Sequence, residues 1–115
     1  MRIKSDFVTN SSSTAFIITN TSNVKLDLTD FVKENPQLIE EFKKEYNWHK
    51  DDPRYTQENM IKSAEANNES FDPGERRYMV FGDEDGTIIG DVFDYILRDG
   101  GSSKNFTWRF NEFLR

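Results

Sequence analysis

Cysteine is absent from this 115-residue chain, proline occurs three times and glycine six times. Without cysteine there is no disulfide framework and no zinc or iron–sulfur site that needs a thiolate, which favours a reducing compartment. No apolar run approaches the roughly 20 residues that span a bilayer, and the first residues lack the apolar segment of a signal peptide. The sequence predicts a cytoplasmic protein without membrane association.

Hydrophobic residues make up only 35% of the chain, but aromatic residues reach 14%. Large aromatic side chains bury much area at few positions, so they can supply a core that aliphatic residues alone would not. A chain of this length has room for one modest core. We expect a single folded domain over residues 1–115.

The net charge of −6 is concentrated in the middle of the chain. Residues 29–75 hold six basic and twelve acidic side chains, whereas residues 1–28 hold three and two and residues 76–115 hold six and seven. The basic patch of a nucleic-acid-binding protein is missing, which argues against direct nucleic-acid binding. The acidic middle segment favours a partner with a basic surface.

Alternating and helical apolar patterns predict an α+β fold. Strand-like patterns cover residues 3–8, 15–19, 24–28, 78–81 and 106–111, and Asp85-Gly86 predicts a hairpin whose second strand is residues 87–89. Helical patterns cover residues 29–46, 56–67 and 92–97. About five strands and about three helices result, in a mostly antiparallel sheet, with the helical segment inserted between N-terminal and C-terminal strands.

Cap residues and apolar stripes set the expected helix bounds. Thr29 is predicted to cap the first helix, and Pro36 at a first helical position allows either one kinked helix or two helices in tandem. Thr56 is predicted to cap the next helix, which ends near Asn67. The apolar stripe of the middle segment consists of Leu38, Ile39, Phe42 and Tyr46.

Acidic residues outside that stripe are the predicted partner-binding set: Glu40, Glu41, Glu45, Asp51 and Asp52. Such a row of carboxylates could imitate a row of phosphates in front of a basic protein. The alternative is a solvated helix surface with no binding role.

A run of hydroxyl and amide side chains from Thr9 to Thr14 is the second candidate site. The ligand-binding residues predicted there are Asn10, Ser11, Ser12 and Ser13, whose side chains and backbone amides could hold a polar ligand or an anion. The alternative is a connection between two strands, for which hydroxyl residues are common.

Catalytic and metal motifs are not recognisable in the sequence. The single histidine, His49, has no orienting carboxylate and nucleophile arranged around it. Residues 83–86 resemble part of a calcium loop, but its first and last ligand positions would fall on Phe81 and Val92. We expect no cofactor, no metal and no catalytic residue.

The segment Phe7-Val8-Thr9-Asn10-Ser11-Ser12-Ser13-Thr14-Ala15-Phe16 resembles a signature, Phe-Val-Ser-Asn-Ser-Ser-Ser-Ser-Ser-Phe, that opens many small uncharacterised bacterial and phage proteins. The chain departs from it at Thr9, Thr14 and Ala15, where the signature has serine. Residues 85–91 and 106–110 are more loosely similar to the C-terminal part of some of these proteins. The resemblance implies a bacterial or phage origin and no particular activity.

Three functions are consistent with these observations. The first is a non-catalytic acidic binding protein, for example a phage or mobile-element inhibitor of a host defence or nucleic-acid-binding protein, by analogy with small acidic inhibitors such as anti-CRISPR proteins. The second is a small-ligand or nucleotide-binding domain that uses the hydroxyl-rich segment. The third is a structural module of a phage particle. The sequence favours the first, and it does not indicate an oligomeric state.

Overall fold

The computed structural model describes residues 13–45, 52–82 and 87–114. Strand β1 (Ser13–Asn20) is followed by β2 (Leu26–Asp27), by helices α1 (Leu28–Glu34), α2 (Gln37–Glu45) and α3 (Gln57–Ala66), and by strands β3 (Ser70–Phe71) and β4 (Arg76–Gly82). Helix α4 (Ile88–Ile96) continues into a 3-10 turn (Leu97–Asp99) that precedes β5 (Gly101–Ser102) and β6 (Phe106–Leu114). These six strands and four helices confirm the α+β class. The predicted strand at residues 3–8 and the predicted turn at Asp85-Gly86 lie outside the described residues.

The main sheet has four antiparallel strands in the order β4-β1-β6-β5, and β2 pairs with β3 in a separate two-stranded sheet. Strand β1 is central: Phe16 lies opposite Met79 of β4 on one side and opposite Phe110 of β6 on the other. The mostly antiparallel arrangement is therefore confirmed. The predicted strand at 15–19 is extended at both ends.

One face of the sheet carries the core. Phe16 and Ile18 of β1 point to this face and are fully buried together with Phe31 of α1 and Phe93 of α4. The Phe31 ring makes edge-on contacts with Phe93 and with Phe106 and Trp108 of β6, at centroid distances of 5.2–5.5 Å. Edge-to-face aromatic pairs of this kind contribute about 0.5–1.5 kcal/mol each beyond the area they bury. The aromatic content thus does form the core.

The start of α1 differs from the prediction. Asp27 caps the helix by accepting from the Asp30 amide at 2.9 Å, while the Asp30 carboxylate accepts from the Asp27 amide at 3.0 Å. Thr29, predicted as the cap, lies inside the helix, and its amide donates to the side chain of Asn68. The predicted strand at 24–28 is correspondingly reduced to two residues, because this reciprocal cap starts the helix at Leu28.

The middle segment forms two helices in tandem rather than one kinked helix. Helix α1 ends at Glu34, with Asn35 as its C-terminal cap, and α2 begins at Gln37, directly after Pro36. The stripe of Leu38, Ile39 and Phe42 is buried as predicted. Tyr46 lies outside the described residues. Helix α3 also follows the prediction closely: Thr56 caps it by accepting from Asn59, and Asn67 is its C-terminal cap.

The prediction of a strand at residues 87–89 is wrong. Thr87 caps α4 by accepting from the Gly90 amide at 2.9 Å, and Ile88 and Ile89 form the first turn of the helix. The β-branched residues there suggested a strand. The apolar stripe that includes Val92 and Phe93 outweighs that preference, because it begins at Ile89 and continues to Leu97.

The last strand has the predicted orientation. Phe106 and Trp108 are buried on the helical face, while Thr107 and Arg109 are exposed. Phe110 shares the helical face and is partly buried. A bulge in the pairing with β1 follows it, and this bulge lets Phe113 point to the same side, with its ring centroid 4.8 Å from that of Phe110.

Candidate functional site

The predicted partner-binding glutamates lie on α2. Glu40, Glu41 and Glu45 are all exposed, because the opposite side of this helix is anchored by its buried apolar stripe. Asp51 lies outside the described residues. Asp52 is described, but its carboxylate is paired with Arg54 at 2.8 Å, so it offers less free charge than the glutamates do.

Two of the three glutamates line a groove, which we call the acidic groove. It has a volume of about 240 Å³ and lies between α2 and the segment that joins α4 to β5. Glu41 and Glu45 form one wall, and Asp99 lies on the other. Glu40 does not line it. The full lining is Gln37, Leu38, Glu41, Glu45, Ile96, Asp99, Gly100, Gly101, Ser102 and Trp108.

The charge of the acidic groove is of one sign. Its lining includes three carboxylates and no lysine, arginine or histidine. Within the described parts of the chain, none of the three carboxylates makes an ion pair. Lys43 and Lys44 belong to the same helix but do not line the groove. Exposed, unpaired carboxylates of this kind attract a cation without having to be desolvated first.

Trp108 forms the floor of the groove. Its side chain is only 7% exposed, and its indole Nε1 has no hydrogen-bond partner among the described residues. The indole packs so closely on β5 that a Cβ added to Gly101 would lie 2.6 Å from Cζ2 of the ring. Gly100 before it has a φ of +73°, a conformation that favours glycine. Glycine is thus required at position 101 by the approach of the indole and at position 100 by its backbone conformation.

A carboxylate on α1 holds the β5–β6 turn in place. Glu34 accepts hydrogen bonds from the Asn105 amide at 2.7 Å, from Asn105 Nδ2 at 2.7 Å and from the Ser103 hydroxyl. Burial raises the pKa of Glu34, but the hydrogen bonds outweigh it and hold the pKa below the usual 4.5. Since Trp108 follows this turn directly, Glu34 fixes the floor of the groove relative to the helices.

Another polar contact attaches the segment before α3 to α4. The buried Tyr55 hydroxyl donates to the Asp91 carboxylate, and the Tyr55 ring packs on Phe42 at 5.5 Å. Burial and this hydrogen bond raise the pKa of the Tyr55 hydroxyl above its usual 10.0. The sequence did not indicate this pair, because nothing local relates residues 36 positions apart.

The hydroxyl-rich segment is only partly described. Asn10, Ser11 and Ser12 lie outside the described residues, so their predicted ligand-binding role stays a prediction. Ser13 and Thr14 belong to β1, where both are buried, with Thr14 fully so. Both residues are therefore part of the sheet. The alternative interpretation, in which the whole run from Thr9 to Thr14 connects two strands, does not hold for them.

Thr14 reaches a buried carboxylate on α4. Its hydroxyl donates to Asp94 Oδ1 at 2.5 Å, and Asp94 is fully buried. Arg98 covers this carboxylate: one guanidinium nitrogen donates to Oδ1 at 3.2 Å and Nε donates to the Asp94 carbonyl at 2.7 Å. The other oxygen, Oδ2, has no partner among the described residues.

The Thr14–Asp94 pair has the residue types of a nucleophile and a base, but neither residue lines the acidic groove or the larger groove beside β4. A substrate would need access to the hydroxyl, which is fully buried under the helical layer. The arrangement is better suited to holding β1 against α4. No pattern in the sequence distinguishes Asp94, the buried carboxylate, from the many other acidic residues.

A second groove, of about 590 Å³, lies beside β4 and contains none of the predicted site residues. Its walls combine the ion-paired Arg77 and Glu69 with apolar residues of β4 and α4. Across the described ranges, no three histidine, aspartate or glutamate residues are arranged to hold a metal ion. Nor is any helix there long and apolar enough to cross a membrane.

Comparison with known proteins gives no relative. No family model, no curated protein and no solved structure matches the chain. The acidic groove therefore has to be interpreted from its own chemistry.

Proposed function

We propose that this protein is a non-catalytic binding protein whose acidic groove receives a lysine or arginine side chain from a basic partner protein. The observation that carries the proposal is the groove lining: three carboxylates, Glu41, Glu45 and Asp99, surround an indole floor and make no ion pair with any described residue. Carboxylates attract the charged end of such a side chain, and its methylene groups can pack on the apolar floor.

The carboxylates at the rim of the groove, Glu41, Glu45 and Asp99, and the apolar floor would contribute differently to binding. Exposed ion pairs contribute only about 0.2–1 kcal/mol each, so the carboxylates mainly attract and orient the partner. The methylene groups of the partner's basic side chain gain more, because packing on Trp108 and Ile96 removes apolar surface from water. The partner class that fits is a protein whose basic surface binds phosphates, such as a nucleic-acid-binding protein. Occupying that surface would inhibit it.

A short poly-arginine peptide is a suitable probe, followed through the indole N–H signal of Trp108 in a two-dimensional NMR spectrum. Peptide addition should shift this signal, and added salt should reverse the shift because the rim charges are exposed. A variant with Glu41→Lys and Glu45→Lys should bind about tenfold more weakly, the effect of roughly 1.4 kcal/mol lost over two ion pairs.

The matched control carries Glu40→Lys and Glu65→Lys. It has the same change of net charge on exposed helical positions that do not line the groove. The control should bind the peptide nearly as well as the unchanged protein. Equal weakening in both variants would show that only net charge matters, and the groove would then have no specific role.

A further inference from the structure

Strand β5 forms one end of the main sheet and one wall of the acidic groove. It is last in the strand order, and no strand pairs with its outer edge among the described residues. Gly101 and Ser102, which make up β5, are both exposed, and both line the groove. The outer edge of β5 is therefore open on the side where the carboxylates of the groove lie.

The hydrogen bonds of the β5–β6 hairpin indicate which backbone groups of β5 point outward. The Ser103 amide donates to the Phe106 carbonyl at 2.8 Å, and Ser102 lies opposite Thr107. Hydrogen-bonded and non-hydrogen-bonded pairs alternate along an antiparallel ladder. The Ser102–Thr107 pair is therefore of the second kind, so the amide and the carbonyl of Ser102 point away from β6.

A strand added at this edge would direct every second side chain into the groove. Gly101 lies opposite Trp108, and a Cβ placed on Gly101 would point at the indole, so this position faces the helices. Neighbouring residues of a strand point to opposite faces. The added residue opposite Ser102 would thus face away from the helices, while the residues before and after it would face the groove.

The spacing of the groove carboxylates suits side chains two residues apart on a strand. Helix α2 lines the groove from Gln37 to Glu45, so its length lies along the groove. Glu41 and Glu45 are about 6 Å apart along the helix axis, and residues two apart on an antiparallel strand are separated by about 6.8 Å. Both glutamates are exposed, and neither makes an ion pair with a described residue. Two basic side chains on alternate residues can therefore each approach one glutamate.

We propose that the partner of the acidic groove supplies an extended segment in which two basic residues flank one intervening residue, and that this segment adds to β5 as an antiparallel strand. The proposal rests on the function proposed above. The backbone of the intervening residue exchanges two hydrogen bonds with Ser102, and the two basic side chains enter the groove beside Glu41 and Glu45. The antiparallel direction continues the pattern of the main sheet.

The shortness of β5 makes both kinds of contact necessary. A two-residue edge offers the outward backbone groups of only one residue, Ser102, and short edge strands resist unspecific pairing. Two backbone hydrogen bonds alone are too few to hold a segment, and the carboxylates alone do not fix its conformation. The combination selects an extended basic segment over a basic helix of equal charge, because a helix has already used its backbone groups.

Two short peptides of equal composition test the proposal. One carries arginine, threonine and arginine in that order at its centre. In the other the two arginines are adjacent, so that on a strand their side chains point to opposite faces. The first peptide should bind about tenfold more tightly, because only it can place both arginines in the groove.

Methylation of peptide amides tests the backbone contact directly. N-methylation of the central threonine of the first peptide should weaken binding about fivefold, since it removes the amide that donates to the Ser102 carbonyl. N-methylation of the arginine that follows is the matched control. Its amide points away from β5, so this peptide should bind nearly as well as the unmodified one.

Hydrogen exchange at Ser102 gives a readout that charge attraction alone would not change. The outward amide of Ser102 should exchange at least about tenfold more slowly when the first peptide is bound. Ser102→Pro removes this amide and no bond between β5 and β6, so it should preserve the fold, seen by circular dichroism, and lower the affinity for the first peptide to that for the second. Ser102→Ala keeps the amide and should bind like the unchanged protein.

Equal binding of the two peptides, or unchanged exchange at Ser102 in the complex, would overturn the proposal. If Glu41→Lys with Glu45→Lys still weakened binding in that case, the groove would keep its proposed function and only the strand pairing would fail. Binding of both peptides that these two changes leave unaffected would instead refute the groove function, and this proposal with it. Should Ser102→Pro fail to fold, the two methylated peptides decide.

Discussion

Replacing Thr14 by valine tests whether the buried end of the hydroxyl-rich segment is structural. Valine has nearly the shape of threonine, so the substitution removes the hydroxyl and leaves the packing almost unchanged. The hydroxyl is the donor at 2.5 Å from Asp94 Oδ1, and both residues are fully buried. Without it, the buried carboxylate keeps only Arg98 as a side-chain partner among the described residues.

The expected loss follows from this geometry. Hydrogen bonds to charged groups contribute about 1.5–3 kcal/mol to stability. The cost of losing one lies toward the upper end of this range when it leaves a buried carboxylate with fewer partners. We expect Thr14→Val to lower the free energy of unfolding by about 2–3 kcal/mol. Thr14→Ser keeps the hydroxyl and deletes one buried methyl group, which costs about 1 kcal/mol.

Urea denaturation followed by tryptophan fluorescence measures both losses, and thermal melts check them at roughly 4 °C per kcal/mol for a domain of this size. The order matters more than either value: valine should be worse than serine. A valine variant as stable as the unchanged protein would refute the reasoning, because the Thr14–Asp94 bond would then contribute nothing.

Two further predictions concern the floor of the acidic groove and its support. Gly101→Ala should destabilise the fold by about 1–3 kcal/mol and shift the Trp108 fluorescence, since the new methyl group would overlap the indole; unchanged emission would contradict the observed packing. Glu34, whose folded-state pKa is lowered, stabilises the fold above its unfolded pKa near 4.5, and this stability is lost as the pH falls through the lower folded value. Glu34→Gln should therefore make the free energy of unfolding fall less steeply as the pH is lowered. An unchanged pH dependence in the acid range would exclude this role for Glu34.

Local patterns predicted most of the secondary structure. Helix α3 between Thr56 and Asn67 follows from one cap and three apolar positions, and β6 follows from strict alternation. The errors occur where a short polar residue decides between two local structures. Asp27 and Thr87 both cap helices by accepting a hydrogen bond from the amide three residues later in the sequence. In both places a stretch whose residues predicted a strand becomes the first turn of a helix.

The acidic groove could be predicted only in part. Glu41 and Glu45 belong to an acidic helix face that the sequence indicates, but Glu40 of the same face does not line the groove. Asp99 and Trp108 enter the groove through the packing of the α4–β5 segment against α2. No local pattern encodes that contact, because the residues are more than 50 positions apart in the sequence.

The hydroxyl-rich segment now divides into two parts with different meanings. Ser13 and Thr14 are absorbed into β1, and the Thr14–Asp94 bond ties the first described strand to the last helix across 80 positions. Threonine and serine both carry a hydroxyl that can donate to Asp94, so position 14 requires the hydroxyl rather than threonine itself. The neighbouring Ala15 is fully buried in the central strand. A ligand-binding role for Asn10, Ser11, Ser12 and Ser13 stays a prediction, with Ser13 buried at the start of β1.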